Sequence, residues 1–129
     1  MLNDRNQSRS HTRGKDAERY AADYLRRLGY QVLNTNVRLP GGEIDIVAEE
    51  DGILVFVEVR ARKSGLYGTA EESVGPQKRR RIFQAAEAYL QRLEDGSSRA
   101  SRIDVVAIQL DRQGRPVEVD LIKNALEQP

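Results

Sequence analysis

The feature that most constrains this chain is Asp51-Gly52, set between two β-rich runs, Glu43-Ile-Asp-Ile-Val-Ala-Glu-Glu and Ile53-Leu-Val-Phe-Val-Glu-Val-Arg. Asp-Gly favours the positive φ angles of a two-residue hairpin turn, whose twist matches that of the strands it joins. With these two residues in the turn, Glu50 faces Ile53 and the register of the whole hairpin follows. Asp45 then falls opposite Glu58, Glu43 opposite Arg60, Val47 opposite Phe56 and Glu49 opposite Leu54. The remaining positions, Ile44, Ile46, Ala48, Ile53, Val55, Val57 and Val59, make a wholly apolar face that must be core.

Helical periodicity brackets this hairpin. From Lys15 onward, Ala17, Tyr20, Ala21, Tyr24, Leu25 and Leu28 share one stripe, and Gly29 stands where a left-handed C-terminal cap belongs. Tyr30 to Asn36 reads as a strand, followed by a turn at Pro40-Gly41-Gly42. Residues 61–75, with Gly65, Gly68 and Gly75, read as a loop. A second helix starts at Pro76, carries Ile82, Ala85, Ala86, Tyr89, Leu90 and Leu93, and runs out at Asp95-Gly96. Arg102 to Leu110 and Pro116 to Ile122 are two further strands around Asp111 to Gly114, and Pro116 makes the last an edge. The order αβββαββ predicts an α/β or α+β domain.

The length, 129 residues, fits one domain. Residues 1–13 are polar and read as a flexible tail, leaving 14–129 as the folded unit. Roughly a quarter of the residues are Leu, Ile, Val or Phe, above the ~20% below which highly charged chains stay unfolded. There is no cysteine, which excludes a disulfide framework, a thiolate metal site and a catalytic thiol. The net charge of +1 argues against a strongly basic coat protein, so any polyanion must be met by a local patch. No run approaches a membrane span and no signal peptide is evident, so a cytoplasmic protein without membrane partners is expected.

Two carboxylates opposite each other on paired strands repel, their Cβ atoms standing about 4.5–5.5 Å apart. A divalent cation relieves that repulsion, since Mg²⁺ takes carboxylate oxygens together with substrate phosphate. An arginine placed diagonally, Arg60 or Arg62, relieves it too, and the hairpin face is then an ordinary solvated surface. Glu18, at the border of the first helix's stripe, could add an oxygen ligand or act on a water. Lys78, Arg79, Arg80 and Arg81 open the second helix, although the helix dipole disfavours cations there. Such a cluster suits a phosphate backbone, and equally a solvated turn balanced by Glu71, Glu72 and Glu87.

At the level of motifs, Gly14-Lys15, Glu18, Gly29-Tyr30, Arg38, Gly42-Glu-Ile-Asp45, Val55-Phe-Val-Glu-Val-Arg60, Arg62, Tyr67-Gly68, Lys78 and Arg102-Ile-Asp-Val-Val106 resemble the YraN family of bacterial proteins over roughly residues 13 to 108. That family resembles the restriction-endonuclease-like superfamily, Holliday-junction resolvases included, in which an Asp and a Glu-x-Lys on adjacent strands bind the metal. The resemblance implies an α/β fold with a central mixed sheet flanked by helices. It implies Asp45 and Glu58 as metal ligands, Arg60 at the Lys position, and Glu18 as the acidic residue of the first helix. Arginine stays protonated and can stabilise charge, but it cannot serve as a general base.

The expected function is therefore a Mg²⁺- or Mn²⁺-dependent endonuclease acting on DNA, branched or damaged forms included. Asp45 and Glu58 hold the metal, with Glu18 and Arg60 completing the catalytic set. Arg62, Lys63, Lys78, Arg79 and Arg80 would track the phosphate backbone. The rivals are a nucleic-acid-binding module without turnover, which Arg60 favours, and a protein-interaction domain. A two-fold dimer through the edge near Val117 or Val119 is a further expectation. A phosphate loop, a G-x-S-x-G elbow and a Ser or Cys triad are absent from the sequence, and His11 is the only histidine, which argues against zinc.

Overall fold

The computed structural model describes residues 16–63, 68–94 and 98–126, so the expected N-terminal tail, 1–13, lies outside the described residues. Helix α1 covers 16–27 and strand β1 Gln31–Leu39; strands β2 (Gly42–Glu50) and β3 (Ile53–Lys63) form the hairpin. Helix α2 (Pro76–Gln91) crosses to β4 (Ser101–Leu110), and β5 (Pro116–Ile122) completes the sheet. The strand order is β1-β2-β3-β4-β5, antiparallel except for the parallel β3–β4 pair that α2 connects. This is an α/β fold with a mixed sheet flanked by two helices.

The hairpin register is the one the turn dictates. Asp51 and Gly52 have φ of 51° and 80°, and Glu50↔Ile53 through Ile46↔Val57 pair in unbroken sequence. Gly29, at φ 97°, ends α1 as a left-handed cap. Strand β1 runs on to Leu39, beyond the expected Asn36. Helix α2 stops at Gln91 with Arg92 as its cap, short of the expected Asp95-Gly96. Its start has Pro76 in the first turn, as a helix that needs no N–H there permits.

Each sheet face has its own core. On one side Ala21, Ala22 and Leu25 of α1 pack on Ile46, Ala48, Val55, Val57, Val106 and Ile108. On the other, Ile82, Ala85 and Ala86 of α2 pack on Val47, Leu54, Phe56, Ile103 and Val105. The Val47–Leu54–Phe56 face of the hairpin is thus buried under α2 rather than solvated, because a parallel crossover puts its helix on that face. Leu28, expected on the α1 stripe, is exposed, and Ala22 takes its place in the core.

One detail departs from strict alternation. Ile44 belongs to the α2-side cluster and Ile46, two residues later, to the α1-side cluster. The strand rolls over at the residue between them, Asp45. Helix α2 closes tightly on this end of the sheet: a Cβ on Gly42 would lie 2.7 Å from the backbone oxygen of Arg81. Only glycine permits that approach.

Candidate metal and nucleic-acid site

Continuous pairing of β2 with β3 stops at Ile46↔Val57. Beyond it, Oδ2 of Asp45 accepts the backbone N–H of Val59 at 2.8 Å, so the side chain closes the ladder where the strand rolls away. The carboxyl of Asp45 is pushed up to about 7, chiefly by burial and then by the negative charge of Glu58, with the Val59 N–H and Lys78 opposing. Asp45 and Glu58 therefore lie near enough for one charge to act on the other, although their positions fall one step beyond the last β2–β3 pair.

Carboxylate oxygens of Glu18, Glu43 and Asp45 lie within 4.8 Å of one another. Glu18 comes from α1 and the other two from β2. Glu43 was expected across from Arg60, yet it turns to the acidic side. The i, i+2 spacing of Glu43 and Asp45 was the available signal for that convergence. Glu58 is only 3% exposed, and its Oε1 takes the ammonium of Lys78 at 2.9 Å.

Arg60 departs from its expected place in the acidic set. Its Nε donates to Oγ of Ser73 at 3.0 Å, and a terminal nitrogen lies 3.5 Å from the Ser73 carbonyl oxygen, so the guanidinium braces the segment before α2. Arg62 donates to the Gly68 carbonyl at 3.2 Å. Arg60, Arg62 and Lys63 line an open cavity of about 430 Å³ that Glu71, Glu118 and Asp120 also border. Of the basic cluster on α2, Lys78 and Arg80 are exposed, whereas Arg79 donates through Nε to the Val74 carbonyl at 3.0 Å.

A second polar cluster has no counterpart in the sequence reading. Asp104, fully buried, accepts from Nε of Arg102 at 3.0 Å and from the backbone N–H of Asn124 at 2.9 Å. Arg102 also reaches Oε1 of Glu50 at 2.9 Å and the Tyr30 hydroxyl at 2.7 Å, and Lys123 joins at Glu50. It ties the hairpin end of β2 to β4 and to the segment after β5. The two-residue spacing of Arg102 and Asp104 within an apolar strand was its sequence signal.

Comparison with known proteins follows the same residues. The profile of Uncharacterised protein family UPF0102 matches residues 17–108, which span Glu18, Glu43, Asp45, Glu58 and Asp104. The chain belongs to this family. A UPF0102 protein of Dehalococcoides mccartyi is 45% identical over 115 residues, covering 88% of this chain and 91% of the relative. Those of Moorella thermoacetica and Desulfosudis oleivorans are 46% and 40% identical, covering 88% and 98% of this chain and 93% and 95% of those proteins. The resemblance to the YraN family, read from Gly42-Glu-Ile-Asp45 and Val55-Phe-Val-Glu-Val-Arg60, is thereby borne out. Among the described residues of this UPF0102 protein, no helix is long and apolar enough to cross a membrane.

Proposed function

We propose that this chain is a metal-dependent nuclease acting on DNA by phosphodiester hydrolysis. The observation that carries the reading is the convergence of Glu18, Glu43 and Asp45 beside the buried Glu58, three carboxylates from two elements with their oxygens within 4.8 Å. Hard oxygen donors in that number suit Mg²⁺ or Mn²⁺, and a carboxyl held near 7 by burial and then by the charge of Glu58 is one that a cation would stabilise in its ionised form. Glu18, Glu43 and Asp45 would hold the ion, with Glu58 at its flank. Bound there, the ion would supply Lewis-acid polarisation of a phosphate and a lowered pKa for water.

The chain's own residues do the rest. Val59 fixes the Asp45 carboxylate through its backbone N–H, and Lys78 fixes Glu58. Arg62, Lys63 and Arg80 would supply positive charge for the phosphates of a nucleic acid. Such contacts position a duplex without reading its sequence. Branched or damaged DNA is the substrate class the family resemblance suggests.

A second reading is favoured by one observation. Arg60, at the position where the superfamily pattern places its lysine, is engaged with Ser73. On that reading the fold binds nucleic acid without turnover.

Calorimetric titration of Mn²⁺ into the parent and Asp45→Asn, with cleavage of branched and duplex DNA on the same samples, separates the two. The nuclease reading expects metal binding and cleavage in the parent and neither in the variant, with DNA affinity retained. Equal cleavage by the variant would overturn the metal role of Asp45. No Mn²⁺ binding, even with DNA present, would leave the binding module.

A further inference from the structure

We propose that Lys78, rather than Arg60, supplies the cationic donor of the reaction centre, an inference that rests on the nuclease reading above. Its ammonium stands 2.9 Å from Oε1 of Glu58. The carboxylate it meets is 3% exposed, while the lysine side chain itself is 50% exposed. Lys78 is therefore anchored at its inner side and open to a ligand at its outer side. Arg60 sits two residues beyond Glu58 on the same strand, but among the described residues its hydrogen bonds go to Ser73.

The placement of Lys78 is physically costly unless something compensates. It lies in the first turn of α2, where no acidic residue is present and where the helix dipole adds its own positive potential. The buried Glu58 supplies that compensation. The ammonium thus sets positive charge against Glu58 and near enough to Asp45 to favour its ionised form. Such a prearranged field is what a phosphate gathering negative charge requires.

The step balances simply. A water oxygen forms a bond to phosphorus as the bond from phosphorus to the leaving ester oxygen breaks; the water gives up a proton to solvent and the leaving oxygen takes one from solvent. Negative charge grows on the non-bridging oxygens meanwhile. Lys78 has three N–H donors, one directed to Glu58, and the others are available to those oxygens.

The test compares parent, Lys78→Met, Lys78→Arg and Arg60→Met in single-turnover cleavage of branched DNA with Mn²⁺, alongside DNA affinity and Mn²⁺ affinity. Lys78→Met is expected to slow cleavage about 100-fold or more, the scale of losing one preorganised donor, with DNA affinity within about threefold, the share of one phosphate contact. Its Mn²⁺ affinity should hold or rise, because a cation competing for Glu58 has gone. Lys78→Arg should recover cleavage to within about tenfold, since charge and donors remain, and Arg60→Met should slow cleavage far less than Lys78→Met does. Should Lys78→Met melt below the assay temperature, Lys78→Gln, which keeps a donor for Glu58, replaces it with the same expectation.

Cleavage by Lys78→Met at the parent rate, or greater damage from Arg60→Met, overturns the assignment while leaving the nuclease reading intact. Loss of Mn²⁺ binding in Lys78→Met would make the lysine a structural support and overturn it as well. A parent that cleaves none of the DNA forms overturns the nuclease reading, and the assignment falls with it.

Discussion

Oδ2 of Asp45 accepts the backbone N–H of Val59 at 2.8 Å, so a carboxylate stands where the neighbouring strand's backbone would otherwise close the ladder. The β2–β3 pairing ends at this residue, Ile44 and Ile46 on its two sides belong to opposite cores, and its charge stands among those of Glu18, Glu43 and Glu58. The same packing that orders the carboxyl makes its ionisation unfavourable.

That tension gives a pH dependence. Asp45 is raised to about 7 in the fold from an ordinary carboxylate value near 4. The folded protein thus binds the proton more tightly than the unfolded chain, so the associated stability is fully present below about 4 and is lost as pH rises through about 7. Asp45→Asn removes the effect. In metal-free buffer, urea denaturation should find the variant gaining about 2–3 kcal/mol on the parent between pH 5 and pH 8. A constant difference across that range would refute the shift.

Glu43 was not singled out as a ligand by sequence, yet it shares the acidic cluster and is exposed. Glu43→Gln should weaken Mn²⁺ binding about tenfold, or ~1.4 kcal/mol, while leaving the melting temperature of the metal-free protein nearly unchanged. Unaltered Mn²⁺ affinity by calorimetry would remove Glu43 from the site.

The two arginines that follow Lys78 should separate. Arg80 is exposed, and Arg80→Ala should reduce the salt slope of DNA binding by about one phosphate contact with little effect on stability. Arg79 also holds the Val74 carbonyl, so Arg79→Ala should cost about 1 kcal/mol of stability as well. Fluorescence anisotropy across a salt series and thermal melts read both. Identical behaviour of the two variants would contradict the assignment.

At the hairpin end of the sheet, Arg102→Met leaves Asp104 buried without its guanidinium. Removing one partner of a buried pair costs about 3–5 kcal/mol. Chemical denaturation should show that loss. Since Arg102 joins Glu50, Tyr30 and Asp104 and no member of the acidic cluster, Mn²⁺ affinity in the folded variant should match the parent. A stability change below about 1 kcal/mol, the scale of an exposed pair, would mean that the cluster contributes little.

Much of this was legible in local residues. Asp51-Gly52 dictates its turn because few other pairs tolerate positive φ at both positions, and the hairpin register follows by counting. The apolar stripes of α1 and α2 and the edge at Pro116 are equally local. Asp45 and Glu58 emerged together because register alone brings them level. Glu43 was set against Arg60 because counting across a hairpin considers only the two strands, and its acidic neighbour Glu18 comes from α1, which register cannot place.

By itself, then, the sequence determined the element order, the central hairpin and the candidates Asp45 and Glu58, all of which depend on neighbours along the chain or across one tight turn. The tertiary structure alone decided which cation meets which acid. Lys78 reaches Glu58 from a helix 20 residues later in the chain, and Arg102 reaches Glu50 and Tyr30 across 52 and 72 residues. Those pairings depend on how closely α2 and β4 dock, and at Gly42 the helix comes so near that an added Cβ would stand 2.7 Å from the Arg81 carbonyl oxygen. Charge has no periodicity to announce its partner; only packing brings the two together.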